Sequence, residues 1–139
     1  MDGDRQSIVR TYPLAHIRDF QLLKDVADLN DPRIVEAVIR GWEDDVHVIM
    51  PDLAEQGFVD LCDNWPEDED SVRQWALELY EDLAAIGIVA TDIHSNNIMI
   101  RGDELKLIDY EQFWPLSEDY YEYGKWRLKC RLGLSLTST

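Results

Sequence analysis

Apolar residues recur at helical spacing in two parts of the chain. The first part runs from residue 14 to residue 29, where apolar positions three and four residues apart predict an amphipathic helix. The predicted buried face consists of Ile17, Phe20, Leu23, Val26 and Ala27. The sequence Asn30-Asp31-Pro32 should end this helix, because proline cannot continue it and disfavours helical backbone in the residue before it.

The second helical pattern is stronger and runs from residue 71 to residue 86. Asp70 or Ser71 is placed to cap its start, and Gly87 follows its end, where glycine commonly adopts left-handed backbone. The expected buried face consists of Val72, Trp75, Leu79, Leu83 and Ile86. Between the two helices, a short apolar group at residues 58–62 predicts a brief helix, which an acidic loop follows.

Two pairs of short apolar stretches predict two β-hairpins. Residues 34–40 and 46–50 are rich in β-branched side chains and flank the polar sequence GWEDD. Residues 97–100 and 105–108 flank the turn sequence RGDE in the same way. Helices and hairpins thus follow one another as separate units instead of alternating strand by helix, which favours the α+β class over a parallel sheet.

The segment 125–137 alternates between two kinds of side chain. Basic or small residues occupy every second position, and Trp126, Leu128, Cys130 and Leu132 lie between them. A period of two predicts a strand with one buried face, or else a tail that becomes ordered only against a partner. The four bases could meet the acidic body of the same or of a second molecule, so residues 125–136 are also a candidate homo-oligomer interface.

Composition and charge narrow the classes of partner. The 139 residues, 45% of them hydrophobic and 30% charged, suit one globular domain. The 29 acids against 13 Lys and Arg give a net charge of −16, which disfavours nucleic acid and anionic membrane and is compatible with solubility alone or with a protein partner. No apolar stretch is long enough to span a bilayer, and two cysteines without close pairing favour a cytoplasmic location.

The candidate chemistry lies in residues 92–109, DIHSNNIMIRGDELKLID. Asp92 and Asn97 lie five residues apart after the second helix, and Asp109 ends the second strand of the following hairpin. Two carboxylates and an amide form the oxygen-rich set that Mg²⁺ prefers, with substrate phosphates completing the shell. One acid could instead orient a hydroxyl for attack on a phosphoryl group. A structural role, in which Asp92 and Asn97 brace the loop through backbone hydrogen bonds, accounts for the same pattern.

This segment resembles the catalytic loop and metal-binding strand of the protein-kinase-like superfamily. Asp92 and Asn97 match a D-x-x-x-x-N loop, and Ile108-Asp109-Tyr110-Glu111 is similar to the I-D-x-E form of its small-molecule branch. His94 is placed like the histidine in the D-L-H version of the loop in aminoglycoside and choline phosphotransferases. The resemblance implies binding of ATP and Mg²⁺.

The similarity extends upstream. Residues 29–35, LNDPRIV, are similar to the turn that follows the family's regulatory helix, and residues 48–53, VIMPDL, resemble the strand that enters its interdomain hinge. The resemblance implies a truncated protein-kinase-like fold over the single domain 1–139. Its parts would be a reduced small lobe (about 1–50), an abbreviated large lobe (54–124) and the basic and apolar segment 125–139.

The resemblance also implies roles for individual residues. Asp92 matches the catalytic base, and Asn97 and Asp109 match the Mg²⁺ ligands. The implied nucleotide-binding residues are Met50 as gatekeeper, Leu53 in the hinge, Met99 as the pocket floor, and His94. For the two methionines, ordinary core packing is an alternative explanation.

Several parts of the family pattern have no counterpart in this sequence. The seven glycines are too dispersed to form a G-x-G-x-x-G loop, and Arg10 is the cation nearest to the place of the strand-three lysine. Without these groups little screens a triphosphate, and such electrostatic stabilisation is the larger part of phosphoryl-transfer catalysis. We therefore expect a kinase-like protein with weak or no catalysis that acts through a protein partner. The alternative is an atypical ATP- and Mg²⁺-dependent phosphotransferase.

Overall fold

The computed structural model describes residues 7–17 and 19–133. Within these residues the chain forms three α-helices and eight short strands, and the strands pair antiparallel. The helices are α1 (Phe20–Asp28), α2 (Glu69–Ala85) and α3 (Glu118–Leu132). The strands are β1 (Ser7–Pro13), β2 (Val38–Trp42), β3 (Asp45–Pro51), β4 (Val59–Asp60), β5 (Ile88–Ala90), β6 (Ile98–Arg101), β7 (Glu104–Leu107) and β8 (Phe113–Pro115). This mixed α and β fold with small antiparallel sheets is compatible with the predicted α+β class.

The first sheet has the strand order β1-β3-β2. Its β2–β3 pair confirms the first predicted hairpin, because Trp42 pairs with Asp45 around a two-residue turn in which Glu43 has a left-handed φ of 55°. Strand β1 is an addition to the sequence-based prediction. Its residues are mostly exposed, so the sequence does not show the regular alternation that marks a half-buried strand.

The start of β2 differs from its prediction. Ile34 and Val35 were expected in this strand, but β2 begins at Val38. The Val35 N–H donates to the Leu107 carbonyl at 2.8 Å, and the Leu107 N–H donates to the Arg33 carbonyl at 2.8 Å. The two β-branched residues are therefore buried against the second hairpin and not in the first sheet.

The first predicted helix is confirmed in its second half. Helix α1 begins after Asp19, whose carboxylate accepts the N–H of the third helical residue at 3.1 Å. Residues 14–16 form a separate 3-10 turn before this cap. Leu23 and Val26 are buried as predicted, and the chain leaves the helix at Asn30, which has a left-handed φ of 53°.

Helix α2 confirms the second predicted helix, with Asp68 in place of Asp70 or Ser71 as the capping residue. Gly87 follows with φ of 95°, a conformation that side chains disfavour. The buried residues of α2 are Val72, Ala76, Leu79, Tyr80, Leu83 and Ala84. The prediction was wrong for Ile86, which is 57% exposed just beyond the helix, and Trp75 is half-buried.

The second sheet has the order β4-β6-β7 and contains the second predicted hairpin. The β6–β7 turn includes Gly102, whose φ of 62° suits glycine. The brief helix predicted over residues 58–62 is wrong for Val59 and Asp60, which pair with β6. A 3-10 turn at Leu61–Asp63 replaces the rest of that predicted helix.

The strand predicted over residues 125–137 is wrong, because α3 continues to Leu132 and the remainder lies outside the described residues. Leu128 and Leu132 are 2% and 3% exposed, whereas Trp126 is 54% exposed and Cys130 is exposed. A pattern of period two also places every fourth residue on one helix face, so alternation alone does not identify a strand. Helix α3 contains Lys, Arg and Leu and no β-branched residue, which favours the helix.

Helix α3 lies close to α2 at a glycine. A Cβ atom at Gly124 would lie 2.5 Å from the Tyr80 hydroxyl oxygen and 3.0 Å from Val89 Cγ1. The Tyr80 hydroxyl donates to the Tyr121 carbonyl of α3 at 2.5 Å. This contact holds α3 against α2 and β5, next to the loop that carries Asp92. None of the helices in the described part of the chain has the length and apolar character needed to cross a membrane.

Candidate functional site

The loop between β5 and β6 carries three of the predicted site residues: Asp92, His94 and Asn97. Ile93, which is 3% exposed, fixes the middle of this loop in the hydrophobic core. The side chains of its neighbours Asp92 and His94 are 22% and 13% exposed. The Ile108 N–H donates to the Asn97 carbonyl at 2.9 Å, which joins the loop to the end of β7 beside Asp109.

Asn97 brings the two predicted acids together. Its Nδ2 atom donates to the Asp92 carbonyl and to Asp92 Oδ2, each at 3.0 Å, and lies 3.3 Å from Asp109 Oδ2. The first contact is the backbone brace that the structural explanation expects. The other two join carboxylates from separate sequence motifs, so the predicted cluster of Asp92, Asn97 and Asp109 is assembled in the fold.

The side chains of this cluster provide part of the oxygen ligands that Mg²⁺ requires. In the described part of the chain, no three His, Cys, Asp or Glu side chains group with metal-ligand geometry. The cluster therefore offers two carboxylates and one amide, which is enough for Mg²⁺ when water and substrate phosphates complete the shell. Asn97 now presents its NH₂ group to both acids, so it would have to rotate and present Oδ1 to a cation.

Asp109 is the most buried acid of the cluster and is 9% exposed. Burial raises the pKa of its carboxyl to about 6, while the hydrogen bond from the Glu111 N–H at 3.1 Å acts in the opposite direction. The charge of Asp92 raises the pKa of Asp109 further, and the charge of Arg10 on β1 lowers it. The pKa of the Asp109 carboxyl group therefore lies near neutral pH. A nearby cation would favour the charged form of this group.

Asp92 is engaged by two arginines of α3. Arg127 Nη2 donates to Asp92 Oδ1 at 3.0 Å, and Arg131 Nη1 lies 3.6 Å from the same oxygen. His94 Nε2 is a third nitrogen near this oxygen, at 3.4 Å. The carboxylate that the family resemblance assigns to catalysis is thus surrounded by donors of the protein itself.

His94 is oriented by its own loop. The Asn96 N–H donates to His94 Nδ1 at 3.2 Å, which places the proton of the neutral ring on Nε2, toward Asp92. Burial lowers the pKa of His94, although the charge of Asp92 raises it. His94 is therefore favoured as a neutral imidazole at neutral pH, with its Nε2 atom 3.4 Å from Asp92 Oδ1 and 3.2 Å from Asn97 Nδ2.

The three residues assigned to an adenine pocket lie in or against the hydrophobic core. Met50 and Leu53 are 3% and 4% exposed, and Met99 on β6 is half-buried. Asp52, between the first two, caps a 3-10 turn by accepting the Ala54 N–H at 3.1 Å. Core packing accounts for all three side chains, and their contact with a nucleotide stays a prediction.

Arg127 and Arg131 were missed as site residues by the sequence analysis. The predicted strand placed these bases on one face that could meet the acidic body of the protein, but it did not indicate Asp92 as the acid they contact. Their spacing of four residues was the available signal, because it places both on one side of a helix.

The chain matches no protein-family model and no curated protein sequence. The function of the Asp92 cluster therefore has to be inferred from its geometry and chemistry.

Proposed function

We propose that this chain is a truncated kinase-like protein with a Mg²⁺- and phosphate-binding cluster and weak or no catalysis, which acts through a protein partner. The element order supports the proposal. A strand, a helix and two strands (β1, α1, β2, β3) would form the reduced small lobe. Helix α2 then leads into the Asp92 loop, and the β6–β7 hairpin leads to Asp109.

The observation that carries the proposal is the bridge made by Asn97. Its amide lies 3.0 Å from Asp92 Oδ2 and 3.3 Å from Asp109 Oδ2, although the two acids belong to separate motifs. The loop brace accounts for the contact with the Asp92 carbonyl, and the pairing of β6 with β7 brings Asp109 beside Asn97. Neither of them requires the Asn97 side-chain amide to lie within reach of both carboxylates. Bound Mg²⁺ would neutralise phosphate oxygens at this position, with Asn97 and Asp109 as its protein ligands.

Weak or absent catalysis follows from the contacts of Asp92. A carboxylate that is to orient a substrate hydroxyl needs an available oxygen. Asp92 Oδ1 already accepts a charged hydrogen bond from Arg127, and Asn97 donates to Oδ2. A substrate hydroxyl would have to displace one of these donors, and charge-assisted hydrogen bonds are stronger than neutral ones.

An active phosphotransferase is the second candidate, and Arg10 favours it. Arg10 lies on β1 close enough for its charge to lower the pKa of Asp109. A cation on this strand could pair with a phosphate bound at Asp109 and partly replace the missing lysine. This candidate requires α3 to release Asp92 during turnover.

The proposed partner is a basic protein. Bases of segment 125–136 pair with acids of the same molecule: Lys125 with Glu81 at 2.9 Å, and Arg127 and Arg131 with Asp92. These contacts leave the excess of acids available for an outside partner.

Self-association through segment 125–136 stays a prediction, and Trp126 is the exposed apolar side chain that would take part in it. The free thiols of Cys62 and Cys130 support a cytoplasmic location.

Nucleotide binding by the full chain tests the proposal. ATP should raise the melting temperature when Mg²⁺ is present, because a ligand at hundredfold excess over its Kd stabilises the folded state by about 2.7 kcal/mol. Asp109→Asn should remove the ATP-induced shift. Asp103→Asn, in the exposed turn between β6 and β7, should keep it and is the matched control.

Turnover separates the two candidates. Release of phosphate from ATP that disappears in Asp92→Asn would establish the phosphotransferase. Nucleotide binding without turnover would support the kinase-like interaction module. A parent protein with no Mg²⁺-dependent shift, or an equal loss of the shift in Asp109→Asn and Asp103→Asn, would contradict the proposed site.

A further inference from the structure

The cleft on the α3 side of Asp92 has a chemistry that the proposed metal site does not use. It has a volume of about 380 Å³ and lies between the loop after β5 and helix α3. Two arginines and a histidine line it, together with two aromatic rings and a carboxylate. The residues are Arg127, Arg131, His94, Trp114, Tyr123 and Asp92.

The guanidinium group of Arg127 is held by three separate acceptors. Nε donates to the Thr91 carbonyl, Nη1 to the Tyr123 hydroxyl and Nη2 to Asp92 Oδ1, each at 3.0 Å. The side chain therefore has one fixed orientation at the cleft wall. A cation that is already ordered loses little conformational entropy when a ligand binds.

Arg131 adds a second cation beside the same carboxylate oxygen. Its side chain is 40% exposed, and its Nη1 atom lies 3.6 Å from Asp92 Oδ1, which is longer than a hydrogen bond. One carboxylate can neutralise only one of the two guanidinium groups. A local positive excess thus faces the cleft in a chain of net charge −16, and a bound anion would relieve the repulsion between the two arginines.

We propose that this cleft binds a small phosphomonoester, with Arg127 and Arg131 as ligands of its phosphate. Two guanidinium groups on successive turns of α3 provide more donors than one planar carboxylate can accept, and a tetrahedral phosphate can accept from both. Trp114 and Tyr123 offer apolar surface to the carbon part of the ligand. The volume lies within the range of small-molecule sites, about 300–1,000 Å³.

This site differs from the proposed Mg²⁺ and nucleotide site in its ligand and in its other residues, and the two sites share Asp92. At the metal site, the negative charge of Asp92 favours the ligand. In the phosphomonoester cleft, the same charge competes with the ligand for Arg127 and Arg131. Asp92→Asn therefore has opposite expected effects at the two sites, and Asp109→Asn should affect the metal site alone.

Calorimetric titration of the full chain in EDTA, at constant ionic strength, tests the proposal with three probes: phenyl phosphate, inorganic phosphate and benzoate. Phenyl phosphate should bind most tightly. Arg131→Ala should weaken its binding about tenfold, which corresponds to one lost charge-assisted hydrogen bond. Arg131→Lys, which keeps the charge, should weaken it less, and Asp92→Asn should strengthen it several-fold.

The matched control is Arg40→Ala, which removes a positive charge from an exposed position of β2 and should change the Kd less than twofold. Equal losses in Arg131→Ala and Arg40→Ala would show that net charge alone governs binding and would overturn the site. Benzoate or inorganic phosphate binding as tightly as phenyl phosphate would overturn the assignment to a phosphomonoester. No binding of phenyl phosphate, or weaker binding in Asp92→Asn, would also overturn it.

Discussion

Arg127 of α3 donates a hydrogen bond to Asp92 Oδ1 at 3.0 Å across 35 positions of the chain. This bond joins a helix whose inner face belongs to the hydrophobic core to the loop that carries the candidate chemistry. Any change that moves α3 should therefore alter the surroundings of Asp92, even when the altered residue lies outside the site.

Arg127→Ala should lower the free energy of unfolding by about 1–3 kcal/mol, because it leaves partly buried acceptors at Asp92 and Thr91 unsatisfied. Arg127→Lys should restore only part of the loss, since an ammonium group cannot reach three separate acceptors in the fork geometry of a guanidinium. Urea unfolding measures both. A loss no larger than that of Arg40→Ala, a surface change worth about 0.5 kcal/mol at most, would contradict the structural role of this bond.

Asp109→Asn should stabilise the protein at neutral pH and not in acid. Burial raises the pKa of Asp109 from 3.8 to about 6, so between these values the folded state holds a proton that the unfolded state releases. The raised pKa of Asp109 therefore stabilises the folded state fully below pH 3.8. This stabilisation is lost as the pH rises through about 6. The loss is about 3 kcal/mol at most, from the shift in pKa.

The measurement is the difference in unfolding free energy between the parent and Asp109→Asn from pH 4 to pH 8, which cancels the titration of the other acids. The variant should gain relative to the parent as the pH rises. The gain should be smaller than the full value, because an asparagine at this position meets the NH₂ group of Asn97 less favourably than a carboxylate does. A difference independent of pH would show that the Asp109 carboxyl titrates normally.

Gly124→Ala should destabilise the protein by about 1–3 kcal/mol through overpacking, although alanine is the better helix former. The added Cβ would lie 2.5 Å from the Tyr80 hydroxyl oxygen. In a Tyr80→Phe background this oxygen is absent, so the same substitution should cost less. A double-mutant cycle measures the coupling, and strictly additive effects would contradict the close approach.

Leu128→Ala and Trp126→Ala should have very different effects if residues 125–132 are helical. Leu128 is 2% exposed, so its truncation should cost about 2–5 kcal/mol. Trp126 is 54% exposed and should cost about 0.5 kcal/mol or less. In a strand both side chains would share one buried face, and similar losses in thermal or urea unfolding would favour that alternative.

The elements that were predicted correctly are those in which the local residue pattern and the tertiary packing favour the same secondary structure. Helix α2 has a cap, a helical apolar period and a terminal glycine, and both long hairpins have turn residues between apolar stretches. Strand β4 and helix α3 were predicted as the wrong kind of element, and three further strands had no prediction at all. Strands β5 and β8 have three residues each, too few to show a period, and β1 lies at a sheet edge where burial imposes little pattern.

The part of the candidate site that could be predicted is the part formed by residues close together in the sequence. Asp92, Asn97 and Asp109 lie within 18 consecutive residues, so a loop and a hairpin are enough to bring them together. The contribution of α3 is long-range and depends on which face of residues 125–132 is buried. A period of two is compatible with a strand face and with an i, i+4 row of a helix, and only the packing around Leu128 and Leu132 distinguishes them.

The packing of α3 also constrains the number of residues between the positions of this helix that contact the rest of the protein. The row Leu128 and Leu132 and the row Arg127 and Arg131 lie about 100° apart around the helix axis. Gly124 must face Tyr80 at the same time. Insertion or deletion of one residue between Gly124 and Arg127 would rotate both rows by about 100° relative to the glycine. The spacing of this short segment is therefore constrained as strongly as the identity of its side chains, and length variation should be tolerated in loops but not here.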